Sequence, residues 1–256
     1  HGERLAYSTI FINLQRPYRR LQNTYKGLRM QTENIQAIVL RRTNYGEADK
    51  IITSLTSKGD KINIIAKGVR KSKSKLVAGT ELFCVSDICY VMGKGSMATL
   101  TSARIVSQHT QFLDNLDKVN LAYDIIKTVH KHTEDSASTR YFTLLQQVFM
   151  ALDTPNYDVD TIRIWAWLQL LQESGHQLQL EKQTNGDTFD SAALYAFDAE
   201  NGGFMVSAGG NFMPDHIKLL RIAQSQPLTV LQRISNAPRY SFELTPVIKQ
   251  FVETTY

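Results

Sequence analysis

A chain of 256 residues that is 43% hydrophobic can bury a sizeable core and fill one large domain or two modest ones, while its two cysteines exclude a disulfide framework. The net charge of +5 is unevenly spread: residues 35–110 hold 12 Lys and Arg against 5 Asp and Glu, whereas residues 111–256 hold 11 against 17. No apolar run reaches the ~18 residues of a membrane span, so a basic front joined to an acidic back implies two modules, the first with an anionic partner.

Residues 1–29 show no clean period. The stretch YSTIFINL (7–14) is broken by polar residues and lacks a small-residue cleavage site, so it does not read as a signal peptide. Met30 reads as the natural start, with 1–29 an upstream translation or expression remnant and an Arg-bearing organellar transit peptide as the alternative. A reducing cytoplasmic setting follows by default.

From residue 35 the pattern is that of strands. IQAIVLRRT (35–43) is β-branched and alternating, NYGEADK (44–50) is a turn, and IITSLTSK (51–58) alternates again. Gly59-Asp60 turns the chain into KINIIAKG (61–68), with Ile62, Ile64 and Ala66 on one face. ELFCVSDICYVM (81–92) and MATLTSARIV (97–106) follow, separated by a Gly-bearing turn. Five short strands at this spacing predict a small closed or nearly closed barrel, a strand count that OB-folds share with SH3-like barrels.

Beyond residue 110 the period becomes helical. Leu116, Val119, Tyr123, Ile126 and Val129 line one predicted face of 115–132. Tyr141, Leu144, Leu145, Val148 and Leu152 line another in 138–152, with Ser138 as N-cap and Thr154-Pro155 as stop. Residues 158–175 are apolar on nearly every side, as a central helix would be, and Gly175 is placed to end it. Residues 176–212 are looser and Gly-rich. Pro214 and Pro227 open further helical stretches, and Leu244, Val247, Ile248 and Phe251 mark a final amphipathic piece.

The connection KGVRKSKSK carries the chemistry. Lys67, Arg70, Lys71, Lys73 and Lys75 place five cations in nine residues with no acid among them. Exposed like charges gain little from surface ion pairs, whereas a phosphate chain relieves their repulsion and releases counterions as it binds. The bland reading, a solvated loop or targeting signal, is weakened by Arg41, Arg42, Lys50, Lys58, Lys61, Lys94 and Arg104 in the same barrel. Only Tyr45, Phe83 and Tyr90 are aromatic between 35 and 110, and Phe83 reads as core. Binding would therefore be mainly electrostatic, open to double as well as single strands.

Other chemistry is poorly supported. Cys84 and Cys89 are an odd number of residues apart in a strand and have no CxxC partner, and His130 and His132 are wrongly spaced for a helical zinc pair. Phosphate-loop, HExxH and GxSxG patterns are missing. GGFMVSAGG (202–210) is not placed as a dinucleotide-binding loop, and Asp158 and Asp160 sit where a helix start explains them. No cofactor, metal or catalytic residue is expected.

These residues also carry a family resemblance. Arg41-Arg42, Tyr45-Gly46-Glu47, Ala66-Lys67-Gly68 through Lys75, and LTSARIV (100–106) resemble, in order and spacing, the opening of the bacterial recombination mediator RecO. The resemblance covers roughly 33–256, strongly to 106. It implies an α+β protein: a five-stranded OB-fold barrel over 33–110, then an all-helical C-terminal domain over 111–256, with 1–32 an extension that is non-native or disordered. It implies a non-enzymatic mediator of the RecF pathway of DNA repair and recombination, cytoplasmic and nucleoid-associated in a bacterium. Such a protein binds single- and double-stranded DNA, anneals complementary strands and helps load RecA onto DNA covered by single-strand-binding protein. RecR and the C-terminal tail of single-strand-binding protein are the implied partners, RecA an indirect one, and no membrane is involved. Many members carry a four-cysteine zinc site in the second domain. Here the matching region has no cysteine, so a metal-free zinc-finger-like insertion is expected at about 176–212. Arg41, Arg42, Lys50, Lys67, Arg70, Lys71, Lys73 and Lys75 are the expected DNA contacts. An RNA- or ribosome-associated factor would use the same cations, because phosphate contacts carry little sequence information; a nuclease or ligase is the more distant alternative.

Overall fold

The computed structural model of the protein describes residues 32–93, 97–133 and 137–256. The extension expected over 1–32, Met30 included, lies outside the described residues except for Thr32, which opens the first strand. Five strands form a closed barrel: β1 (Thr32–Tyr45), β2 (Asp49–Thr56), β3 (Lys61–Ala66), β4 (Cys84–Met92) and β5 (Ala98–Gln108). Their order round the barrel is β1-β2-β3-β5-β4, with β4 returning to β1 and β3 running parallel to β5. This closure is OB-fold order and separates the barrel from an SH3-like one of equal strand number. A short 3₁₀ turn, Ala78–Thr80, plugs the barrel between β3 and β4.

β1 departs from the alternation its sequence suggests. Ala37 to Leu40 are buried without a break, because this strand is covered on both sides. Ala37 and Val39 enter the barrel interior with Ile52, Ile64 and Leu100. Ile38 and Leu40 face outward into a second core, where Leu55, Phe83 and Val85 of the barrel meet the helices. A register shift between Val39 and Arg41 leaves Leu40 as the extra residue of a bulge.

The helices are α1 (Leu116–His132), α2 (Thr139–Asp153), α3 (Val159–Glu173), α4 (Pro214–Ser225), α5 (Leu228–Leu231) and α6 (Ala237–Thr255). Asn115, Ser138 and Asp158 cap the first three, each accepting a backbone N–H of the first turn at 2.8 to 3.2 Å. Helix α3 is central, with both tryptophans and its leucines buried, and Gly175 takes a φ of 81° just past its end. The face predicted for α1 needs correcting. Leu116 and Tyr123 are 73% and 47% exposed, and the buried stripe is Leu121, Ala122, Ile125, Ile126 and Val129. Eight of the 17 residues of this helix are apolar and they spread beyond one narrow stripe, so periodicity alone could not choose its edge.

The Gly-rich region 176–212 is built around a hairpin of β6 (Tyr195–Asp198) and β7 (Gly203–Val206), which the helical reading of this half did not include. GGFMVSAGG thus contributes a strand. Gln183 stitches the region together: its Oε1 accepts from Val206 N at 2.8 Å and its Nε2 donates to Thr188 O at 2.8 Å. Phe197, Phe204 and Phe212 stack edge to face in series, with ring centroids 5.2 and 5.5 Å apart. Among the described residues no group of three or more His, Cys, Asp or Glu could hold a metal, and no helix is long and apolar enough to cross a membrane.

Barrel and helices share their contact directly. Phe83, at a φ of 60° the one non-glycine residue with positive φ among those described, sets its ring against Phe112, Tyr123 and Phe149 at 5.2 to 5.6 Å. At Gly59 (φ 92°) the β2–β3 turn comes so close that a Cβ would lie 2.6 Å from Ser138 C. Lys61 Nζ also donates to His130 O at 3.0 Å.

Candidate nucleic-acid interface

Antiparallel pairing puts the end of β1, the start of β2 and the end of β3 at one mouth of the barrel. The eight residues singled out in the sequence all belong to these ends or to the connection that leaves them. The register assigns their faces, since paired residues share a side. Arg42 pairs with Ile52, and Ile52 with Ile64, which places Arg42 on the interior row at the mouth. Lys50, opposite Asn44 and Ala66, lies on the same inward row and is half-buried. Arg41 pairs with Thr53, and Thr53 with Asn63, so Arg41 belongs to the outward row. The two adjacent arginines therefore have different surroundings. Arg42 is ion-paired with Glu81, whereas Arg41 is exposed and has no ion pair among the described residues.

The basic connection is a folded cap. Val69 is 2% exposed and drops into the barrel core. Gly68 N donates to Asp49 Oδ1 at 2.7 Å, Arg70 N to Ala48 O at 2.9 Å, and Arg70 Nη1 to Gly46 O at 3.4 Å. Two further turns close at Lys71 N to Gly68 O and Ser74 N to Lys71 O. This backbone anchorage pins the loop against the β1–β2 turn and leaves Lys67, Arg70, Lys71, Lys73 and Lys75 exposed. None of the five forms an ion pair among the described residues. With Arg41 they make six uncompensated cations round one barrel end.

Other barrel cations do not join them. Lys58 lies in the β2–β3 turn on the helical side, Lys61 bonds to His130 O, and Arg104 pairs with Asp87 at 2.8 Å. Lys94 lies outside the described residues. Beneath the mouth, burial foremost and the Glu81 carboxylate next push the Cys84 thiol up to about 11, with Arg42 opposing. Cys84 is therefore a neutral thiol at physiological pH. Across the barrel, burial and a 3.0 Å hydrogen bond to Glu33 push the Tyr90 hydroxyl up to about 12.

On the helical side, two open grooves of about 530 and 600 Å³ meet at Gln224 and Ser225. The first is lined largely by amide and hydroxyl groups, and its Arg140 is held by Glu173 at 3.3 Å. What sequence reasoning missed is the anchor of the basic loop. Asp49 was the available signal, as an acid placed at the start of β2 within reach of a Gly N–H.

A five-stranded barrel in OB-fold order, with six exposed cations without ion pairs near one mouth and a helical body behind it, defines the architectural class. Comparison with known proteins places it further. Residues 30–109 match the family described as "Recombination protein O N terminal". A DNA repair protein RecO from Dehalococcoides mccartyi is 28% identical over 206 residues, covering 78% of this chain and 81% of the relative. One from Alkaliphilus metalliredigens is 26% identical over 85% of this chain and 91% of its own length, and one from Heliobacterium modesticaldum is 28% identical over 87% and 85%. Over residues 30–109 the chain carries the family's N-terminal pattern, and over most of its length it is similar to these DNA repair proteins.

Proposed function

We propose that this chain is a DNA-binding mediator of homologous recombination that holds single- and double-stranded DNA at the barrel mouth and anneals complementary strands. One observation carries the reading: six exposed cations without ion pairs surround one end of an OB barrel, in a chain similar to DNA repair proteins. Annealing joins two polyanions whose mutual repulsion falls when a cationic surface sits between them. The loop cations supply that surface, while Arg42, held by Glu81, shapes the mouth instead of meeting phosphate. Lys50, half-buried, stands at the inner edge.

The same proposal gives the protein a place in RecA loading on strands covered by single-strand-binding protein. RecR and the tail of single-strand-binding protein are its partners, the tail being taken by the helical domain. It assigns no catalytic step to any residue.

The test is annealing of complementary strands by the wild-type chain and by a variant with Lys67, Arg70, Lys71, Lys73 and Lys75 changed to Ala, with RNA strands of equal length as competitors. Annealing lost in a folded variant, and DNA preferred over RNA, is the expected result. Undiminished annealing would overturn the assignment of the loop, and preference for RNA would move the chain to the RNA-associated reading.

A further inference from the structure

The outward face of β1–β3 continues beyond Arg41. Side chains on this face alternate along each strand, so Arg41, Thr43 and Tyr45 of β1 share it with Ile51 and Thr53 of β2 and Asn63 and Ile65 of β3. Lys67 follows in the same alternation as β3 ends. Thr43, Ile51 and Ile65 form one cross-strand row, the two isoleucines half-buried and the threonine exposed. Tyr45 stands at the end of this strip, opposite Asp49 and next to the loop that carries the cations.

Resting on the reading that this end of the barrel holds phosphate, we propose that Tyr45 is a stacking site for an unpaired nucleobase, with the Thr43–Ile51–Ile65 row as the floor along which the strand runs. Three observations converge on it. The other two aromatics of the barrel sequence, Phe83 and Tyr90, are only 5% and 4% exposed, whereas Tyr45 is 53% exposed. Its ring makes no aromatic or cation–π contact and its hydroxyl no hydrogen bond among the described residues. A single exposed ring is ordinary on a protein surface, but this one has a fixed base. Its backbone is paired to Asp49, and the turn after it is braced by Arg70 on Gly46 O and Ala48 O and by Gly68 on Asp49.

The arrangement combines the two parts from which sequence-tolerant strand binders are made. Cations track the backbone, and a ring accepts the face of any base. Placing a two-torsion side chain on a rigid strand end costs little conformational entropy on binding. Inside a duplex both faces of every base are already covered by neighbours, so away from the ends Tyr45 has nothing to stack on and only the phosphate contacts remain. The loop cations bind either form of DNA; Tyr45 distinguishes them.

The experiment compares the full chain with Tyr45→Ala and Tyr45→Trp for binding to three labelled ligands at one stated salt: an oligothymidylate, an abasic deoxyribose-phosphate strand of equal length, and a blunt duplex. Tyr45→Ala is expected to weaken oligothymidylate binding at least about fivefold, the lower end for one base stacked on one ring, and to leave the abasic strand and the duplex unchanged. Tyr45→Trp is expected to restore or strengthen binding to the oligothymidylate. Equal loss on all three ligands, or loss on none, would overturn the stacking site while leaving the phosphate reading in place. Failure of the unaltered chain to bind any of the three would overturn both.

Discussion

Removing the charge of the basic loop should change how DNA binding responds to salt, by an amount the structure sets. Lys67, Arg70, Lys71, Lys73 and Lys75 are all exposed. The loop is held mainly by Val69 in the core and by backbone donors Gly68 N and Arg70 N; of the charged side chains only Arg70 adds a bond, a long one of 3.4 Å to Gly46 O. Changing all five to Ala therefore removes charge and leaves the fold. Each phosphate neutralised on a single strand contributes about −0.7 to the slope of log K against log salt, so the five together contribute about −3.5, and about −4.5 on a duplex. Over the fourfold range from about 50 to about 200 mM, the unaltered protein loses roughly a hundredfold in single-strand affinity through these residues. The variant should bind more weakly at low salt and keep only a shallow slope, of the size Arg41 alone supplies. Anisotropy of a labelled oligonucleotide titrated across that salt range at fixed pH reads the slope directly, and thermal melting of the variant confirms folding. A folded variant with the slope of the unaltered protein would refute the reasoning, because phosphate must then lie elsewhere.

Three further outcomes are expected. Gly59→Ala forces a Cβ to within 2.6 Å of the Ser138 backbone at a φ of 92°; it should cost at least about 2 kcal/mol in denaturant unfolding, and an unchanged midpoint would contradict the close approach. Arg239 first, and the His216 hydrogen bond at 2.6 Å second, hold the Glu243 carboxyl below the usual carboxylate range. Its contribution is then complete above the unfolded pKa of about 4.3 and disappears as pH falls through the lower native value; Glu243→Gln should flatten that part of a stability–pH curve and leave its alkaline side alone. Finally, Cys84 and Cys89 are both buried free thiols, and burial, followed by Glu81, raises the Cys84 pKa to about 11. A disulfide thiol reagent at neutral pH should therefore label neither until the protein unfolds, and stoichiometric labelling of the native protein would show that one is accessible.

Much of this molecule could be read in one dimension because the signals are local. Strand alternation, the Gly-Asp turn at 59–60, the Ser138 and Asp158 caps and the apolar continuity of α3 each depend on residues a few positions apart. The β6–β7 hairpin escaped because its strands are four residues each, too short for alternation to rise above a Gly-rich background. At the candidate interface, sequence placed cations on a loop between strands; it could not separate Arg41 from Arg42. Glu81, which takes Arg42, is 39 residues away in the chain, and the bulge at Leu40 that fixes the two arginines' faces is a product of strand pairing.

By itself, the sequence determined the kinds of element, their order, and the concentration of positive charge in one connection, since propensity and patterning act over a few residues. The tertiary structure decided which faces those elements bury, as with the stripe of α1 and the two-sided burial of β1. It also decided which charges are spent on partners within the protein and which stay free for a ligand. These choices are made by groups far apart in the chain that meet only when the barrel closes and the helices pack against it.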